Sequence, residues 1–314
     1  METNVSISLV IPIYGVERYI VRFAESVLGQ AYPFVQYIFV NDGTKDSSMN
    51  ILESLIEKRY RHLRDRIVMV RQENAGLPAA RKKGMEYATG DYVWHIDPDD
   101  WIEKDALSRI AECAAGTGAD IIYFNFWKEY GSKARLVVEK AYTDARLKEY
   151  QRDIFNHRAY GCLWNKCIRR RLYVDNDVMF PKYSYAEDIT LTSQLVGYAD
   201  SISYLDASLY HYRKDNPHSI SRIRRKTKAQ EAVLNFLSLY ERFSSASFNP
   251  VASILDDMFY RVGWYTVTSH LNMFRRYAYL SGSILNARIC TRSYVSVPFQ
   301  IILKIYALII GGKK

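Results

Sequence analysis

The sequence predicts an α/β fold, a mostly parallel sheet flanked by helices and followed by a helical C-terminal region. Three observations predict it. Short β-branched or aromatic runs alternate with amphipathic stretches of helical spacing from residue 6 to residue 127, the pattern of βαβ units. Turn-forming and acidic clusters follow those runs directly, at Tyr14–Glu17, Asn41–Asp46 and Asp97–Asp100. That places them at the carboxyl edge of a sheet, where such folds hold ligands. From Ala229 onward the alternation stops, and the chain reads as helices rich in Tyr and Phe.

The elements follow in order. Ser6–Ile13 is a β-branched run with Pro12 near its end, and Val16–Leu28 is an amphipathic helix. Tyr37–Val40 is a short strand stopped by the turn tripeptide Asn41-Asp42-Gly43, and Ser47–Lys58 carries Met49, Leu52, Leu55 and Ile56 at helical spacing. Ile67–Val70 is a strand, Leu77–Ala88 a helix closed by Thr89-Gly90, and Tyr92–Ile96 a strand running into Asp97-Pro98-Asp99-Asp100. Lys104–Ala114 reads as a helix and Asp120–Trp127 as a strand rich in Ile and aromatics.

The composition fits one large core with an appendage. The 314 residues carry 43 Lys+Arg against 34 Asp+Glu, a formal charge of +9, with 48% hydrophobic and 14% aromatic residues. That excludes a disordered, collagenous or disulfide-stapled chain. Cys113, Cys162, Cys167 and Cys290 form neither a disulfide framework nor a zinc spacing, as expected of a reduced, cytoplasmic protein. The N-terminal METNVSISLVIPIYG lacks the basic region of a secretory signal, and no apolar run is long enough to span a bilayer.

Two segments point towards a surface rather than a core. Arg222–Lys228 is strongly basic, and the final VSVPFQIILKIYALIIGGKK is apolar, interrupted by Gln300 and Lys304 and closed by two lysines. Together they suit peripheral attachment to the inner face of a membrane. A solvated helix face and a tail packed on the protein itself are the plainer alternatives. No nucleic-acid-binding module is recognisable, so nucleic acid is not expected as a partner. The Tyr-rich C-terminal helices offer a surface for a homodimer.

Asp97-Pro98-Asp99 is the sharpest feature. Two carboxylates on alternate residues of an extended segment repel one another unless neutralised, and a hard divalent cation with oxygen ligands would do so while bridging to a substrate phosphate. The plainer reading is an acidic turn at a helix start. In Asn41-Asp42-Gly43-Thr44-Lys45-Asp46-Ser47-Ser48, a carboxylate can accept hydrogen bonds from a base or ribose. Equally, Gly43 can simply make a turn, with Asp46 or Ser47 capping the helix.

With these motifs in order, the sequence resembles glycosyltransferase family 2, nucleotide-sugar-dependent inverting enzymes of the GT-A fold. The residues that carry the resemblance are LVIPIYGVERYI, FVNDGTKDSS, RQENAGLPAARKKGMEYATGDYVWHIDPDDW, CLWNKCIRR, FPKYSYAEDITLT and YLDASLYHYRKDNPHSIS, together covering roughly residues 6 to 221. The subtype it is most similar to builds bacterial capsular, lipopolysaccharide or exopolysaccharide chains. The resemblance implies a catalytic domain over 1–221, with a nucleotide-sugar half to about 127 and an acceptor half over 128–221, and then a helical region over 222–314.

It also implies roles. Pro12, Tyr14 and Glu17 would line the base and ribose, Asp42 would hydrogen-bond the base, usually uracil, and Gly76 and Arg81 would lie near the nucleotide. Asp97 and Asp99 match the acidic metal motif, Asp99 as direct ligand of Mn2+ or Mg2+ and Asp97 beside it on the nucleotide side. Glu187 and Asp188 match the acidic pair near the acceptor, with Asp188 the general base, a role worth typically ~10²–10⁴-fold; without the resemblance they read as first-turn acids of a helix. Trp164-Asn165-Lys166 would pack beneath the acceptor cleft. His211, or else His218, would complete the metal shell or contact the diphosphate, while His95 suits the core. Gly15 and Lys82 stand where the family usually has Asn.

The function so implied is transfer of a hexose from a nucleotide-sugar donor, a UDP-sugar, to a hydroxyl of a glycan or lipid-linked glycan acceptor. The alternatives are a sugar-phosphate nucleotidyltransferase, disfavoured because IPIYGVERY offers a single Gly for a phosphate loop, and a non-catalytic, membrane-associated nucleotide-binding scaffold.

Overall fold

The computed structural model describes residues 4–176, 178–217, 219, 228–243 and 249–254. Strands β1 (Ile7–Ile13), β2 (Val35–Asp42), β3 (Ile67–Gln72) and β4 (Tyr92–His95) alternate with helices α1 (Ile20–Leu28), α2 (Ser48–Arg59) and α3 (Leu77–Met85). Then come β5 (Trp101–Ile102), α4 (Ala106–Thr117), β6 (Ile121–Tyr130), β7 (Lys133–Val137), α5 (Leu147–Phe155), β8 (Lys166–Arg169), α6 (Arg171–Val174), α7 (Glu187–Tyr198), β9 (Ile202–Arg213) and α8 (Lys228–Phe243). Each strand and helix expected up to residue 127 is present. Helix α1 starts four residues late, because the N–H groups of Gly15, Val16 and Glu17 are drawn to Thr44, Ser48 and Asp46 across the site edge.

One sheet carries the fold, in the order β3-β2-β1-β4-β8-β6-β9-β5, with β7 on β6. β1, β2, β3 and β4 pair in parallel, as do β6 and β9. β8 is inserted antiparallel between β4 and β6, so those two run the same way; β5 and β7 are antiparallel additions. The chain builds outward from β1 to β3 and then returns past β1 to β4, which opens a crevice at the carboxyl ends of β1 and β4. The β1–β4 ladder ends at Val10 opposite His95, so Pro12, lacking an N–H, sits where no donor is needed on that side.

Strand parity divides the core. Ile7, Leu9, Ile11 and Ile13 face α1, α2 and α4 through Phe23, Val27, Leu52 and Ile110, whereas Val10 faces α3 with Val40 and Ala80. Every β1 side chain is buried, as a central strand covered on both faces requires. Helix α3 lies close against the sheet: a Cβ at Gly84 would come within 2.4 Å of Val10 Cγ1. Ala232, Phe236, Leu239 and Phe243 of α8 pack on Phe155, Val251 and Ile254. The expected division at 221/222, the basic run up to Thr227, His218 and the 295–314 tail lie outside the described residues. Among those residues no helix is long and apolar enough to cross a membrane, and Cys113, Cys162 and Cys167 are free thiols.

Candidate active site

A cleft of about 1130 Å³ opens at the crevice predicted by the strand order; Pro12, Tyr14, Asp42, Gly76, Asp97 and Asp99 line one part, and Trp164, Glu187 and Asp188 another. Asp42, Asp99 and Asp188, distant in sequence, therefore share one cavity.

Asp42 closes β2 and is almost wholly buried. Its Oδ1 accepts from Gln72 Nε2 at 2.7 Å and Ala75 N at 2.9 Å, and its Oδ2 from Gly76 N at 3.0 Å. Gly76 has φ +89° and faces Ser184 Oγ, 3.3 Å from where a Cβ would stand, so a side chain there would narrow the cleft. Tyr14 is exposed on the cleft. Glu17 is at the rim, outside the lining, with Oε2 accepting from Ser47 N at 3.1 Å.

The acidic motif leaves β4 as a turn in which Asp100 N donates to Asp97 O at 3.1 Å. Asp99 Oδ2 accepts from Asn216 Nδ2 at 2.7 Å, and its carbonyl from Arg213 Nε at 3.0 Å. Asp100 points away from the cleft and is held by Tyr210 OH and Arg213 N, each at 2.7 Å. Burial raises the affinity of all three carboxyls for a proton; Asp97 is pushed up to about 6, with the Arg81 charge opposing the shift. Oxygen donors of this kind suit a hard cation such as Mn2+ or Mg2+. Among the described residues no three or more His, Cys, Asp or Glu side chains converge as a ligand set. Asp97 and Asp99 both offer carboxylate oxygens to the cleft.

Arg81 corrects one expectation. It is fully buried on α3 and stands behind the cleft, outside its lining. Its Nη1 donates to Glu187 Oε1 at 2.5 Å and Asp188 Oδ1 at 2.6 Å, and its Nη2 to Asp97 Oδ1 at 2.9 Å. One guanidinium thus gathers carboxylates from the end of β4 and the start of α7, a task for a planar fork of donors. Glu187 is nearly buried, and burial pushes its carboxyl well up against the pull of Arg81. Asp188 is more open, with about a quarter of its side chain accessible. The pair begins α7, and the residue before it, Ala186, has φ +61°, a left-handed conformation that costs a non-glycine residue about 1–2 kcal/mol.

His211 corrects another. On β9, Tyr210 and Tyr212 turn to the Trp164 side while His211 turns to the opposite face. There it stacks on Trp101 at 4.8 Å, with Nδ1 on Glu129 Oε1 at 2.7 Å and Nε2 on Glu103 Oε1 at 2.8 Å. Both ring nitrogens are engaged away from the cleft, whose lining does not include His211. His95 is buried on β4 beside Tyr173, and burial with the Arg81 charge keeps it neutral.

In the other part of the cleft, Trp164 stacks on Tyr210 at 4.7 Å. Asn165 donates to Glu139 Oε1 at 2.8 Å. Lys166, fully buried, donates to Tyr160 O at 2.7 Å, Cys162 O at 2.9 Å and Asn165 Oδ1 at 2.7 Å. Asn216 and Asn235 are not among the residues expected from the sequence. Asn235 of α8 donates to Tyr183 O at 2.8 Å and Tyr185 O at 3.0 Å and accepts from Tyr183 N at 3.2 Å, clamping the segment that leads to Asp188. A polar residue amid the apolar ladder Ala232, Phe236, Leu239 was the available signal.

The sequence profile of glycosyl transferase family 2 matches residues 8–175. EpsH of Bacillus subtilis is 32% identical over 72% of this chain and 65% of its own length. Glycosyltransferase GlyA of Streptococcus pneumoniae is 30% identical over 66% of this chain and 30% of its own. The chain thus spans less than two thirds of these relatives. TarS of S. aureus, crystallised with UDP-GlcNAc, superposes with a TM-score of 0.69 at 20% identity, covering 90% of this chain and 81% of that one. The mannosyltransferase PcManGT of Pyrobaculum calidifontis, with GDP-Man and Mn2+, gives 0.56 at 16% identity over 99% of this chain and 88% of that one. The two likenesses establish the GT-A α/β fold.

Proposed function

We propose, since the chain belongs to glycosyl transferase family 2, that it is an inverting glycosyltransferase of cell-surface polysaccharide synthesis. It takes a UDP-sugar and passes the sugar to a hydroxyl of a glycan or lipid-linked glycan. The observation that carries the reading is the single cleft lined by Asp42, Asp99 and Asp188 at the β1/β4 crevice. UDP as the nucleotude carrier is supported by the fold likeness to TarS, whose crystals hold UDP-GlcNAc.

Each residue has one task. Tyr14 and Asp42 border the nucleoside, Asp42 by fixing the 75–76 backbone as well as by its own oxygens. Asp99, with Asp97 beside it, would hold a divalent cation, which supplies Lewis-acid stabilisation of the leaving diphosphate. Asp188 accepts the proton of the acceptor hydroxyl as that oxygen attacks the anomeric carbon from the face opposite the nucleotide. Arg81 sets the distance between the two sides by binding Asp97 and Asp188 together, which is the positioning an in-line displacement needs. Peripheral membrane attachment through residues 222–228 and 295–314 belongs to the same reading, supported by their charge and apolar pattern.

Calorimetry with UDP and Mn2+, then a hydrolysis assay over a panel of UDP-sugars, tests the donor. Asp188→Asn should cut transfer by ~10²-fold or more while UDP affinity stays within a few-fold; retained turnover would remove the base assignment. Chelation of divalent cations should weaken UDP binding in the native protein and change nothing in Asp99→Asn. Equal UDP affinity with and without metal in the native protein would rule out a cation held by Asp99.

A further inference from the structure

The acceptor end of the cleft carries a charge opposite to the donor end. Lys128 and Lys214 both line it, together with Tyr160, Trp164 and Tyr212. Parity explains the grouping. Lys128 of β6 is in register with Tyr212 of β9, and Lys214 follows Tyr212 by two residues on the same side. The Lys128 ammonium donates to Tyr160 OH at 2.7 Å and lies 4.9 Å from that ring's centre. Lys214 Nζ lies 3.5 Å from Tyr212 OH and 4.7 Å from its ring centre. Trp164 continues the surface, its ring 5.0 Å from that of Tyr212. Buried Lys166 fixes this wall from below through the carbonyls of Tyr160 and Cys162.

Resting on the glycosyltransferase reading, we propose that this wall is an acceptor subsite for a phosphate-bearing saccharide or polyol. Two ammonium groups beside one binding surface favour an anionic occupant over a neutral one. The carboxylates of Asp97, Asp99 and Asp188 repel an anionic acceptor from the donor end, and the lysines receive it at the other. Aromatic rings accept the apolar C–H faces of a sugar or polyol. Lysine binds phosphate as a point charge, whereas a planar carboxylate favours the two-pronged arginine fork. The phosphate thus sits on the lysines while a neighbouring hydroxyl points towards Asp188. It can come from a polyol-phosphate chain or from a lipid diphosphate.

The test is titration calorimetry on the full chain saturated with UDP and Mn2+, so that the donor end is filled. The probes are a short ribitol-phosphate oligomer, a short-chain prenyl-diphosphate-linked monosaccharide and neutral maltotriose. At least one phosphorylated probe should bind and weaken as salt rises from ~0.05 to ~0.5 M, maltotriose should bind at least tenfold more weakly, and the probe that binds identifies the source of the phosphate. K128A/K214A should lower that affinity at least tenfold, and K128R/K214R should recover most of it. The proposal is overturned if no phosphorylated probe binds the native protein, if the alanine variant binds as tightly as native, or if UDP affinity falls in parallel, which would assign the lysines to the donor. Failure of UDP itself to bind would instead remove the glycosyltransferase reading, and the phosphorylated probes would then be titrated without it.

Discussion

Arg81 is the residue on which the site depends. Its guanidinium is wholly buried among Asp97, Glu187 and Asp188. Removing one partner of such a cluster leaves charge without compensation, at a cost of about 3–5 kcal/mol. Arg81→Ala should therefore lower the urea midpoint sharply, and Arg81→Lys should recover little, because one ammonium cannot serve both sides of the fork; a near-native midpoint for either would contradict this account. Ala186 stores strain in its left-handed backbone, so Ala186→Gly should stabilise the fold by up to ~1 kcal/mol, read as a rise in melting temperature. Gly15 also has positive φ, +67°, and a Cβ there would meet nothing within 4 Å. Gly and Asn are the residues that most readily adopt this conformation, so the departure from the usual Asn keeps the same turn. Lys82 is exposed, and its departure touches nothing in the cleft. The family resemblance puts Arg81 near the nucleotide, whereas AARKKG by itself shows only a basic helix turn; its burial comes from tertiary packing, which local sequence does not encode.

At the level of elements, the strands legible in the sequence are those buried on both faces. β1, β2 and β4 read as continuous apolar runs because helices cover both sides. β8, four residues long, and β5, two residues long, give too little pattern to detect, and β7 is nearly all exposed. The side His211 takes is readable in the sequence: in LYHYR the tyrosines on either side share one face, and alternation sends the histidine to the other. Helix α8 matters beyond its own packing, since Asn235 makes three backbone hydrogen bonds to residues 183 and 185. Asn235→Ala should cost about 1–3 kcal/mol by leaving those groups unsatisfied, and amide exchange should quicken over 183–188 before it does in the sheet. Protection unchanged in that segment would show that α8 does not hold it.

Across the whole molecule, buried carboxyls give the fold a response to pH, and Glu139, bonded to Asn165, is one outside the acidic cluster. Burial pushes the Glu139 carboxyl up, while the Lys166 charge and the Asn165 amide resist the shift. The folded protein thus keeps this proton to a higher pH than the unfolded chain does. The associated stability is fully present below the ordinary glutamate range, ~4.3, and is lost as pH rises through the folded value. Glu139→Gln should therefore gain melting temperature relative to the native protein between pH ~4 and pH ~8; parallel curves would mean that the carboxyl is not perturbed. The strands up to residue 127 were legible as apolar runs, and the acidic stations Asp42, Asp97 and Asp99 because each directly follows or ends one. The opposing wall was not, because it forms only when β6, β9 and the 160–164 segment meet. The buried guanidinium also limits how the cleft opens. The ion pairs of Arg81 tie the turn after β4 to the start of α7, so the two banks of the cleft are held as one body. With Tyr183 and Tyr185 pinned by Asn235, the freedom that remains lies at the exposed rim residues Tyr14, Gly15 and Glu17.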